Sequence, residues 1–169
     1  MAMNNLQLKA QRQSLGLTVA EACELVKNKD GKPLSKRFWQ YLEQGERPIT
    51  DDIDIAIFTH ASHYTLLLDK LTADIDQFNQ DNPKPITDDA DEYFDKLKSV
   101  KKLALPFWHG FEQFVTDTGN QSQADWKIWQ AVVGHLVLTG KLNYLDDDAK
   151  VPDEFGVWAW LKGHYHAEF

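Results

Sequence analysis

Cysteine is almost absent. The chain of 169 residues has one, Cys23, so no internal disulfide can form and no cysteine-rich zinc site can exist. Long apolar runs are missing too. None approaches the roughly 20 residues that a bilayer-spanning helix needs, and the opening MAMNNLQLKAQRQ lacks the apolar core of a signal peptide. These absences lead us to expect a cytoplasmic protein with no membrane partner. Gly-rich phosphate loops, serine nucleophile elbows and kinase signatures are lacking, so nothing supports an enzyme and no cofactor is implied. Basic residues are in deficit, 18 Lys+Arg against 26 Asp+Glu for a net −8, and that number alone argues against nucleic acid. What the chain does have is apolar material. With 43 % hydrophobic and 26 % charged residues, a packed core can form and wholesale disorder is excluded. The length suits one generous domain or two small ones.

The deficit is uneven. Residues 1–50 hold eight basic and five acidic side chains, for +3, while the other 119 hold ten basic and 21 acidic, for −11. Aromatic residues are skewed as well, with 14 of 20 after Glu92. Both shifts suggest two parts that do different jobs.

Helix signals punctuate the first part. Residues 5–15 place Leu6, Leu8, Ala10 and Leu15 before Gly16. Thr18 with Glu21 forms a capping box for a helix over 19–27, and the following NKDGKP is turn chemistry. Ser35 caps a helix over 36–44 that stops at Gly45, ahead of Pro48. A long helix then starts at Thr50, with Asp51, Asp52 and Asp54 at its positive end. Its Ile57, Ala61, Tyr64, Leu68, Leu71, Ile75 and Phe78 repeat at 4 and 3, a heptad seam that must be buried against another helix.

Residues 79–87 (NQDNPKPIT) read as a linker, dividing the chain into 1–80 and 88–169. Beyond it we expect a helix from Asp88 to Ser99, a short one over 110–118, a longer one over 123–139, and a last one opened by Pro152 with Phe155, Trp158 and Leu161. Leu103–Trp108 (LALPFW) is the best strand candidate, although Pro106 limits it to an edge or a short strand. The fold class is mainly α, with one or two short strands in the C-terminal part.

The helix over 36–44 carries the chemistry. On a 3.6-residue period Trp39 and Leu42 fall on one face, with Glu43 at its edge. Ser35, Lys36, Arg37, Gln40, Tyr41 and Gln44 fall on the other, and Arg47 follows. Arginine can bond guanine bidentately and glutamine adenine, while hydroxyls and amides reach phosphates. A plain solvated face can look the same; the flanking motif favours base readout. That motif opens with Arg12-x3-Gly16-Leu17-Thr18-x2-Glu21-Ala22 and closes with Trp39-x2-Leu42-Glu43-x-Gly45-x-Arg47-Pro48. It resembles the phage-repressor-like, or XRE-like, helix-turn-helix family.

Narrower still, Arg37-Phe38-Trp39-Gln40-Tyr41-Leu42-Glu43, Leu105-Pro106-Phe107-Trp108 with Phe111 and Phe114, and Trp126 with Gln130–Val133 are similar to the YdiL-like proteins and the related anti-CRISPR-associated repressors. The likeness spans roughly residues 5–145. It implies a lambda-repressor-like head over 1–80, with the long seam helix, and a C-terminal dimerisation part over 88–169. It further implies a homodimeric, sequence-specific regulator of double-stranded DNA, most simply a repressor. In that fold the positions of Arg12 and Glu43 pair across the core. Two departures stand out. Val19 replaces the glutamine that often contacts DNA after the threonine, and the connection carrying Lys27, Lys29 and Lys32 is about five residues longer than usual.

Competing readings remain. One is a protein-binding module that kept the fold without DNA; another is a regulator gated by an unknown small-molecule effector in the aromatic part. His60 with His63, and His164 with His166, are pairs without a well-spaced third ligand, so no metal site is expected. Asp88–Asp91 and Asp146–Asp148 read as helix-start and loop charge.

Overall fold

A computed structural model describes residues 3–164; His166 and the last residues of the tail lie outside them. Among the described residues eight helices follow in order: α1 (Asn5–Ser14), α2 (Val19–Glu24), α3 (Lys36–Gln44), α4 (Asp51–Asp81), α5 (Ala90–Ser99), α6 (Phe111–Thr118), α7 (Gln123–Leu138) and α8 (Trp158–Leu161). They group into two compact units. The first comprises the chain up to Leu67 together with Gln121–Val132, and the second Leu68–Asn120 together with the chain from Val133 onward. Thus α4 and α7 each contribute to both. No described helix is long and apolar enough to cross a membrane.

In the first unit the caps act as their sequences specify. Thr18 accepts from the Glu21 N–H at 3.2 Å while the Glu21 carboxylate accepts from the Thr18 N–H at 2.8 Å. Asn4 and Gln7 form a second reciprocal box ahead of α1. The helices enclose Leu8, Ala22, Cys23, Val26, Trp39, Leu42, Ile53 and Ile57. Each large apolar side chain removed from water in this way contributes about 1.5–3 kcal/mol. Burial pushes the Cys23 thiol upward, so it packs as a small hydrophobe. The start of α7 also belongs here. Lys127 pairs with Glu21 of α2 at 3.0 Å, and a Cβ built on Gly16 would lie 3.7 Å from that of Ala131.

In the second unit the core is aromatic. Trp108 packs edge-on against Phe114 with centroids 5.2 Å apart and donates its indole N–H to Asp117 at 2.7 Å. Trp160, Leu161 and Val157 are fully buried. The expected strand at Leu103–Trp108 does not form. Only Leu105 bridges, in parallel, to Leu145, and Pro106 has no N–H with which to extend a ladder. The helix expected to open at Pro152 is a single turn, Trp158–Leu161. The N–H groups of Gly156 and Val157 instead donate to the Asp74 carboxylate, at 2.9 and 3.0 Å.

The seam of α4 also differs from the heptad reading. Ile53, Ile57, His60, Leu67, Leu71, Ile75 and Phe78 are buried, whereas Ala61, Tyr64 and Leu68 are half-buried. Ile53, His60 and Leu67 are themselves seven apart, so the buried line keeps the repeat in another register and takes His60 and Leu67 in place of Ala61 and Leu68.

His60 is 4 % exposed, and its Nε2 has no hydrogen-bond partner. Burial, with a smaller push from His63, lowers its pKa from 6.5 to about 4. The folded state therefore holds the ring neutral, and the unfolded chain binds the extra proton as pH falls. Stability fully present above pH 6.5 should drain away toward pH 4, by about 3 kcal/mol. Urea titrations should show this slope in the wild type and a flatter one in His60→Leu. Parallel profiles for the two proteins would contradict it.

Candidate nucleic-acid interface

Helix α3 is held by one face and offers the other. Trp39 and Leu42 are fully buried. Ser35, Lys36, Arg37, Gln40 and Gln44 are exposed, Tyr41 is half-exposed, and Arg47 is exposed just beyond the helix. The seven residues singled out from sequence are thus all at least partly accessible.

Local chemistry fixes the ends of the helix. The Ser35 hydroxyl accepts from the Phe38 N–H at 3.2 Å, which commits it to capping. At the other end Gly45 has φ +78°, a left-handed conformation that L side chains resist. A Cβ there would also meet the Asn5 side-chain amide at 3.3 Å. The turn lets the Glu46 N–H return to the Tyr41 carbonyl at 2.9 Å and sets the course of the chain through Arg47.

An ion pair with a third partner sets the orientation of α3. Arg12 of α1 donates from Nε to Glu43 Oε1 at 2.5 Å and from Nη2 to Oε2 at 3.1 Å. Its Nη1 donates to the Leu17 carbonyl at 2.7 Å, and the Trp39 indole adds a bond to Glu43 Oε1 at 2.8 Å. The two charged side chains are only 10 % and 9 % exposed. Hydrogen bonding to Glu43 raises the Arg12 pKa despite burial. Burial pushes the Glu43 carboxyl up, but the bonds from Arg12 and Trp39 outweigh it and hold the group below the usual carboxylate range. The pairing that the resemblance implied is present; the Trp39 contribution was not anticipated, although its spacing of four from Glu43 allows it.

Arg37 and Tyr41 form a second unanticipated contact. Arg37 Nε donates to the Tyr41 hydroxyl at 2.6 Å, and the guanidinium carbon lies 5.4 Å from the ring centroid. The remaining two guanidinium nitrogens stay available in a fork. Between α2 and α3, NKDGKP makes the expected turn. Lys27 bridges Pro33, Asn28 Oδ1 accepts from the N–H groups of Asp30 and Lys32 at 2.9 and 3.0 Å, and Lys27, Lys29 and Lys32 are exposed.

This is a small helical unit whose third helix is clamped on one face and presents amides, a phenol and cations on the other. The chain belongs to the Aca2/YdiL-like family, whose model matches residues 3–143. It is also similar to a protein named Aca2 repressor from Pectobacterium phage ZF40. The two are 26 % identical over 143 residues, 85 % of this chain and 100 % of that one.

Removing one partner of a buried pair leaves a poorly solvated charge, at a cost of about 3–5 kcal/mol. Arg12→Ala and Glu43→Ala should each destabilise the fold by that order in denaturant titration. Replacing both together with methionine should cost much less than the sum. A loss below about 1 kcal/mol for both single variants would show that the pair is not the clamp described.

Proposed function

We propose that the protein is a sequence-specific transcriptional regulator, a repressor in the simplest case, that binds double-stranded DNA as a homodimer. In this reading α2 and α3 form a lambda-repressor-like helix-turn-helix. Helix α2 lies across the backbone and α3 enters the major groove. The observation that carries it is the exposed polar face of α3, set opposite the buried Trp39 and Leu42. Family membership and the name of the phage relative support the same class.

Roles follow from chemistry. Arg37, with Nε on Tyr41, keeps the two terminal nitrogens that guanine O6 and N7 require, and Gln40 offers the amide that matches adenine. Lys36, Arg47 and the Gln44 amide suit phosphates. Ser35 acts chiefly as the cap of the helix. The head carries only +3 over residues 1–50, so one copy should bind weakly. Two heads on a two-fold symmetric operator, about one helical turn apart, supply the rest. The part from 88 onward is the proposed dimerisation region.

Arg37→Ala and Gln40→Ala should each cost about 1–3 kcal/mol of operator binding and relax the preference at one position. Tyr41→Phe should cost less than Arg37→Ala. Arg47→Ala should weaken all sequences alike and lower the salt dependence by about one unit of slope. Selection from a random duplex pool followed by mobility shifts measures all of these. Unchanged affinity in both base-reading variants, or no salt-dependent binding to any duplex, would leave the protein-binding alternative. Sedimentation should find a dimer at micromolar concentration; a species of 19.4 kDa alone would remove the two-headed mechanism.

A further inference from the structure

A cleft of about 260 Å³ lies within the second unit, between the end of α4, α5 and the chain over 100–103 and 141–144. Its charge is opposite to that of its surroundings. Residues 68–120 and 133–169 hold nine lysines and no arginine against 17 acidic residues. Four of those lysines, Lys84, Lys101, Lys102 and Lys141, line the cleft, and among the described residues no Asp or Glu does. Elsewhere in this unit lysines are neutralised locally, Lys96 by Glu92 and Lys98 by Asp95. In the cleft Lys141 has such a partner, Asp76 at 3.2 Å. Among the described residues Lys84, Lys101 and Lys102 pair with no carboxylate. Two of these ammonium groups are placed by the rings of the cleft itself. Lys101 Nζ lies 5.4 Å from the centre of Phe78 and Lys102 Nζ 5.7 Å from that of Tyr144, and both rings belong to the lining.

This lining selects an anion. Charges of one sign in a concave site with low-dielectric walls focus the field there, and an anion relieves their mutual repulsion. Lysine is a point charge suited to phosphate, whereas planar recognition of a carboxylate favours arginine; all three arginines lie in residues 1–50. A phosphate monoester carries about −1.5 to −2 at neutral pH, enough to engage more than one ammonium. The rest of the lining is largely apolar. Tyr93, Leu97, Val100 and Leu103 are half-buried, so each keeps part of its surface open. The volume is just below the range of drug-sized sites, about 300–1,000 Å³, so the occupant is small. We propose that this cleft binds a small phosphate monoester that carries a flat ring. The phosphate meets Lys84, Lys101 and Lys102, and the ring packs on Tyr93, Leu97 and Val100. The inference rests on the cleft alone and holds whether or not α3 reads DNA.

Calorimetric titration of the full chain with phenyl phosphate, inorganic phosphate and phenol tests it. Phenyl phosphate should bind more tightly than either of the others, which offer charge without a ring or a ring without charge. Replacing Lys101 and Lys102 together (Lys101→Gln with Lys102→Gln), both at exposed positions, should weaken phenyl phosphate by about tenfold or more. Lys150→Gln with Lys162→Gln makes the same change of net charge at exposed positions outside the cleft, and should alter the affinity by less than about twofold, because solvent and salt screen distant charges. Asn143→Glu sets a carboxylate in the cleft from an exposed position and should abolish binding. The proposal is overturned if phenyl phosphate does not bind the wild type, or if inorganic phosphate or phenol binds as tightly. Wild-type affinity in the Lys101/Lys102 double variant or in Asn143→Glu would overturn it, and so would equal losses in the two lysine double variants.

Discussion

The presentation of α3 depends on one largely buried carboxylate. Glu43 accepts from Arg12 of α1 and from Trp39 of its own helix, and Arg12 in turn reaches the Leu17 carbonyl just before α2. A single charge network thus joins α1, α3 and the turn that leads into α2. Hydrophobic contact with Trp39 and Leu42 would bring α3 to the core in several rotations; bidentate hydrogen bonds from a planar guanidinium accept few of them. Once this face is fixed inward, the opposite face follows from helix geometry, and Lys36, Arg37, Gln40 and Gln44 turn outward together. The pair is thus better understood as a device for orientation than as a source of net stability.

The elements that could be read in the sequence are those whose signals are local. Thr18 with Glu21, Ser35 and Gly45 each satisfy or end a backbone pattern within a few residues, so the bounds of α3 and the turn after α2 follow from the chain itself. The polar face of α3 is legible for the same reason. Family likeness placed Arg12 opposite Glu43, a contact 31 residues long in sequence that periodicity alone does not reveal. The C-terminal part is less legible. Pro152 is a fair helix start, but the Asp74 carboxylate takes the N–H groups of Gly156 and Val157, and this distant acceptor shortens the helix. LALPFW has the apolar content of a strand, yet only Leu105 finds a bridge partner.

His60 shows most clearly where pattern reading stops. Ala61 and His60 are neighbours, and the small apolar residue is the natural choice for a seam. The buried line that starts at Ile53 and runs by sevens to Leu67 selects the histidine. No local feature signals that it will line a cavity together with Leu17, Leu25 and Ala124. Such a site exists only once tertiary structure forms. The same holds for the first turns of α7, which fall in sequence with the aromatic C-terminal part and in space with the first unit.

The contact between Arg37 and Tyr41 has a consequence in entropy. An exposed arginine samples many rotamers, and fixing it against a target surface costs up to about 2 kcal/mol of side-chain freedom. Here Nε is already held by the phenol and the guanidinium lies near its ring, so much of that ordering is completed when the protein folds. An encounter at α3 meets a fork that is already aimed. Under the proposed function, selectivity at that position would come from a donor pair held in place, since this arginine cannot adapt to a wrong partner without giving up its bond to Tyr41.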